Sequence, residues 1–158
     1  MSVRATIAAV AVTGVLGAAS APAHAGTVCT WGGTPAAPTG QNRNTPGITD
    51  TPSTAPISFH ATGPLGGGCR GRLTFDGQMD TGTTCGLISF HGVARGLPGV
   101  VRFAGTSVAG VAPARLYDRA GNVVGSENAQ FLTNAPFTEC LTPQGLERNN
   151  FSSVIVLF

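Results

Sequence analysis

Ile57-Ser58-Phe59-His60 and Ile88-Ser89-Phe90-His91 each alternate apolar and polar side chains one residue at a time. Successive side chains of an extended chain point to opposite faces, so these stretches read as strands with one face buried. The same alternation sets Leu73 and Phe75 against Arg72, Thr74 and Asp76, Val101 and Phe103 against Arg102, and Leu116 against Arg115 and Tyr117. Turn chemistry separates them: Gly63-Pro64-Leu65-Gly66-Gly67-Gly68, Asp80-Thr81-Gly82, Gly96-Leu97-Pro98-Gly99 and Asp118-Arg119-Ala120-Gly121-Asn122. No segment keeps a 3.6-residue apolar period over three turns. The last stretch, Val154-Ile155-Val156-Leu157-Phe158, is apolar at consecutive positions, as suits a strand covered on both faces. Strands are expected at 27–32, 57–63, 69–78, 85–95, 100–108, 113–118, 122–131 and 149–158. Short connections between them predict an all-β fold, an antiparallel up-and-down meander of about eight strands, closed as a barrel or folded as a sandwich.

Two segments fall outside this pattern. Residues 34–56 contain Pro35, Pro38, Pro46, Pro52 and Pro56 and a single large apolar residue, Ile48. That composition predicts a Pro/Thr-rich loop or linker, with one more weak strand at Gln41–Thr49 as the other reading. Residues 1–25 read as a cleaved signal peptide. Arg4 supplies the positive start, residues 5–20 are apolar, and Ala23-His24-Ala25 has the small-x-small form of a cleavage site. The expectation is a single secreted, extracellular β domain over 26–158, with no integral membrane segment once the signal is removed.

All four cysteines, Cys29, Cys69, Cys85 and Cys140, lie after the signal. An even count in an exported chain predicts two disulfides. No C-x-x-C pair is present and no histidine adjoins a cysteine, which disfavours a metal site. Strand direction selects the pairing. If the 63–68 turn is at the top, the chain descends to about residue 80 and rises again from Cys85. By the same counting, the loop carrying Cys140 is at the bottom. A disulfide needs Cα atoms about 6 Å apart, so Cys85 pairs with Cys140 and Cys29 with Cys69.

Charge narrows the function. Charged residues are 10% of the chain and all nine basic residues are arginine. Without Arg4 the net charge is near +1, which excludes electrostatic binding of nucleic acid as the main activity. The candidate ligand-binding residues are His60 and His91, on the polar faces of their strands, with the only tryptophan, Trp31, and the only tyrosine, Tyr117. The two histidines could act as an acid–base or metal-binding pair, but no carboxylate is patterned to complete either site. No catalytic residue, metal or cofactor is expected, and no G-x-S-x-G element is present. Phe59, Phe75, Phe90, Phe103, Phe131 and Phe151 share the apolar parity of their strands. Such a set fills a core or, less commonly, lines a cavity for an apolar ligand. The expected function is therefore binding, with a small apolar ligand, an envelope component or an extracellular protein as partner. Two alternatives are a secreted hydrolase with a His60/His91 site and a proteinase inhibitor presenting Arg70 beside Cys69.

Overall fold

The computed structural model describes residues 26–132 and 138–158. The expected signal peptide lies outside the described residues. The strands are β1 (Thr27–Trp31), β2 (Gly33–Thr34), β3 (Ala37–Pro38), β4 (Gly40–Ile48), β5 (Ile57–Gly67), β6 (Arg72–Met79), β7 (Leu87–Arg95), β8 (Arg102–Val108), β9 (Val111–Tyr117), β10 (Val123–Leu132) and β11 (Leu146–Leu157), with one 3₁₀ turn at Thr138–Leu141. From β4 to β11 each strand is antiparallel to the next, and β11 pairs back onto β4. The result is an eight-stranded closed barrel, whose own sheet has no free edge strand. Among the described residues there is no α-helix.

One barrel position is shared by two strands in series. β1 pairs with the end of β11 and with the end of β5, through Cys29↔Ile155 and Cys29↔Gly67. β4 then pairs with the other halves of the same two strands, through Asn42↔Asn149 and Asn42↔Ala61. The small β2–β3 hairpin bulges out between them. Residues 40–48, expected within a loop or linker, are thus a barrel strand, close to the Gln41–Thr49 alternative. The reason is geometric. β5 and β11 run for 11 and 12 residues, and the 5 residues of β1 cover less than half of either edge. Pro46 is tolerated because the β4–β11 register slips there: four residues, 44–47, stand opposite Glu147.

The inward parity follows the alternation in the sequence. At the upper end, beside the β5–β6 turn, Trp31, Leu73, Phe75, Phe103, Leu116, Phe151 and Ile155 form one buried cluster. At the lower end Ile48, Ile57, Met79, Ile88 and Leu146 form a second, around Cys85 and Cys140. All six phenylalanines of the expected set pack into these clusters. Several rings lie over inward glycines of other strands. A Cβ would stand 2.6 Å from the Phe151 ring at Gly40, 2.8 Å from Phe59 at Gly77 and 2.8 Å from Phe90 at Gly105. The missing side chains make the space that the rings fill. Phe75 and Phe103 stack with centroids 3.9 Å apart and planes 7° from parallel.

Both disulfides form as expected, Cys29–Cys69 at the upper end and Cys85–Cys140 at the lower, with Cα atoms 5.2 and 6.3 Å apart. Two disulfides in a domain of this size are compatible with an extracellular location. No helix among the described residues is long and apolar enough to cross a membrane.

Candidate functional site

Most inward positions of the barrel are apolar or glycine. The exceptions fall near one another: Asn42 and Asn44 on β4, Ser107 on β8, Glu127 on β10, and Asn149 and Ser153 on β11. All but Ser153 line a cavity of about 60 Å³ inside the barrel, together with Trp31, Phe59, Phe90, Ala112, Phe131 and other apolar groups. That volume has room for roughly four water molecules. Gly110 of the β8–β9 turn is also in the lining, so the cavity extends to the lower end of the barrel. The interior is therefore mostly filled, with a residual space that is apolar over most of its wall.

Glu127 is 4% exposed, and Ser153 Oγ donates to its Oε1 at 2.6 Å. Its register partners, Ile155 on β11 and Ala114 on β9, offer it no charge. All eight described arginines and both described histidines are at exposed positions, so the carboxyl has no internal counter-ion. Desolvation pushes its pKa up to about 7, against the opposing effect of the Ser153 hydrogen bond.

The asparagines form a chain. Asn44 Nδ2 donates to Leu146 O at 2.9 Å, while Asn42 Nδ2 donates to Asn44 Oδ1 at 2.9 Å and to Asn149 Oδ1 at 2.9 Å. Both Asn42 donors are thereby used, and its carbonyl oxygen, fully buried, accepts nothing among the described residues. Native interiors rarely leave such an atom unpaired.

Of the four residues singled out in the sequence, only Trp31 lines the cavity, and its Nε1 donates to Leu73 O at 3.1 Å. Tyr117 is half-buried at the upper end of β9, opposite Arg102 and Val123. His60 and His91 point outward on β5 and β7 with β6 between them, so they do not form a pair on adjacent strands. Each has a carboxylate after all: His60 Nδ1 is 2.7 Å from Asp76 Oδ1, and His91 Nδ1 is 3.5 Å from Asp80 Oδ1. Arg95 also holds Asp76. The hydrogen bond from His60, then the charges of His60 and Arg95, keep the Asp76 carboxyl below its ordinary range despite some burial. Among the described residues no hydroxyl or thiol nucleophile is hydrogen-bonded to either imidazole.

A wider depression of about 460 Å³ lies on the outer face around Arg43, His60 and Asp76. It is shallow and of mixed polar and apolar lining, whereas the smaller interior cavity is deeper and mostly apolar, the usual character of a small-molecule site. Arg70 is exposed on the four-residue β5–β6 turn, tied down by Cys69. Asp50, Cys85 and Cys140 approach one another, but both sulfurs are in the disulfide and carry no thiolate for a metal.

The interior polar set went unread in the sequence, although a signal existed. Gly125, Glu127, Ala129 and Phe131 share one parity, and an acid among residues that small, ahead of an inward phenylalanine, marks a buried carboxyl. Comparison with protein families, curated proteins and solved structures finds no match, so no residue role comes from another protein.

Proposed function

We propose that this protein is an exported binding domain that holds a small, largely apolar molecule inside its barrel and does no chemistry on it. One observation carries the reading: a largely apolar, partly open cavity, with polar side chains at a few points of its wall, inside a disulfide-tied barrel. Small-molecule sites have this form, apolar over most of their surface with a few polar groups that fix orientation. The size of the cavity favours a ligand of a handful of heavy atoms over a lipid-sized one. Two features weigh against a hydrolase at His60 and His91. The imidazoles lie on strands separated by β6 on the outer wall, and the concavity that His60 lines there is shallow. Native mass spectrometry of the protein purified from its own culture medium tests the binding reading. The expected result is a low-mass ligand retained under gentle desolvation and lost on heating. A homogeneous apo mass, together with no response of Trp31 fluorescence to a panel of short-chain apolar molecules, would remove it.

A further inference from the structure

Resting on that reading, we infer that the cavity selects a ligand whose polar group is a hydrogen-bond donor, a protonated primary amine best of all, on a short apolar body. The wall carries a carboxyl and no cation, and its uncommitted donors among the described residues are neutral, the Ser107 hydroxyl and the Asn149 amide. Asn42 is part of the lining, and its Oδ1 is buried and unpartnered just behind the cavity surface. Glu127 spends one carboxylate oxygen on Ser153 Oγ, while Oε2 accepts no hydrogen bond among the described residues. Asn42 has no donor left to offer, since both of its amide hydrogens go to Asn44 and Asn149. A ligand carboxylate would bring a second negative charge into a largely apolar space lined by no arginine, lysine or imidazole. A ligand ammonium would instead provide Glu127 with the partner that the chain itself withholds, in a charge-assisted hydrogen bond. An apolar molecule with no polar group would leave Glu127 Oε2 without a partner.

Among the described residues Glu127 is the only ionisable side chain in the lining, because Cys85 is oxidised. The strands packed beside it present Ala112 and Ala114 from β9 and Ser153 and Ile155 from β11, none of which titrates. Any pH dependence of amine affinity between mildly acidic and mildly basic conditions is therefore assigned to this carboxyl. With half-ionisation near pH 7, the ionised fraction rises roughly thirtyfold from pH 5.5 to pH 8.

Trp31, the only tryptophan, lines the same cavity and reports on its occupancy. The experiment titrates the disulfide-intact protein with n-butylamine, 1-butanol and butyrate, following Trp31 fluorescence at pH 8 and at pH 5.5. The expected order at pH 8 is amine, then alcohol, then carboxylate. Amine affinity should fall by an order of magnitude or more at pH 5.5, while alcohol affinity stays level. Glu127→Gln should reduce amine affinity to that of the alcohol and abolish the pH effect. Butyrate binding as tightly as butylamine, or amine affinity indifferent to pH in the unaltered protein, overturns the head-group inference and leaves the cavity reading standing. Silence from all three probes at both pH values instead removes the cavity reading on which the inference rests. The pH comparison needs no variant, so the test holds even if Glu127→Gln folds poorly.

Discussion

Glu127 costs the barrel stability whenever it is ionised. Its carboxyl has an ordinary pKa of 4.5 and one of about 7 in the folded chain, so the folded state binds a proton more tightly than the unfolded state between those values. The favourable contribution is complete below about pH 4.5 and is lost as the pH rises through 7, an effect of about 3 kcal/mol for a shift of this size. Chemical denaturation at pH 5 and pH 8 should therefore show the wild type losing stability with rising pH, and Glu127→Gln losing much less. Asp76 and Asp118 act in a separate window. Their pKa values are lowered, by the His60 hydrogen bond and by hydrogen bonds from Asn122 respectively, so what they contribute disappears only as the pH falls below the ordinary carboxylate range. Equal slopes for wild type and Glu127→Gln would show that the carboxyl is hydrated in solution. This residue was legible in principle from the parity of β10. Asn42 and Asn44 were not, because polar side chains at inward positions erase the contrast on which a period of two depends.

At the scale of strands, the inward glycines set how closely the aromatic layers pack. Alanine at Gly40 would drive a methyl group into the Phe151 ring, and at Gly105 into Phe90 and the Ala114 backbone. Gly40→Ala and Gly105→Ala should each destabilise by about 1–3 kcal/mol, the usual cost of overpacking. Gly86→Ala is the control, since its new methyl meets nothing nearer than Thr84 Oγ1 at 3.8 Å, and should stay within about 0.5 kcal/mol of wild type by the same denaturation measurement. β4 carries a second expectation. Gln41–Thr45 pair with β5, and Gln41–Arg43 also with β11, so the amides of Gln41–Thr45 as a set should exchange with deuterium far more slowly than those of Thr54 and Ala55, which join no ladder. Exchange of the whole 41–45 stretch at loop rates would dissolve the barrel closure. Proteolysis follows the same division. The exposed 34–37 excursion is the accessible cut site, and the piece carrying β1 should stay attached through Cys29–Cys69 until reductant is added.

At the scale of the whole molecule, each disulfide ties the chain across a long loop, with sequence separations of 40 and 55. Loop-closure entropy assigns each about 4 kcal/mol. Replacing Cys85 and Cys140 together by serine should lower the unfolding free energy by roughly 2–5 kcal/mol. Because Cys85 is also part of the cavity wall, ligand affinity should fall in the same variant, read by Trp31 fluorescence. Stability lost with affinity intact would place the binding determinants away from the lower end.

The sequence by itself determined the strand class, the position of nearly every strand from Ile57 onward, the inward parity of the phenylalanines and the pairing of all four cysteines. Each of these rests on local alternation or on counting strand directions, and both are read one residue at a time. Only the tertiary structure decided that the sheet closes as a barrel, that Gly40–Ile48 completes the position begun by β1, and that Glu127 and the asparagines meet around one space. Closure is a condition on both edges of the sheet at once. It was met by whichever segment could pair with the uncovered halves of β5 and β11, and backbone hydrogen bonds to those edges outweighed the weak strand propensity of a stretch containing Gly40, Asn42, Asn44 and Pro46.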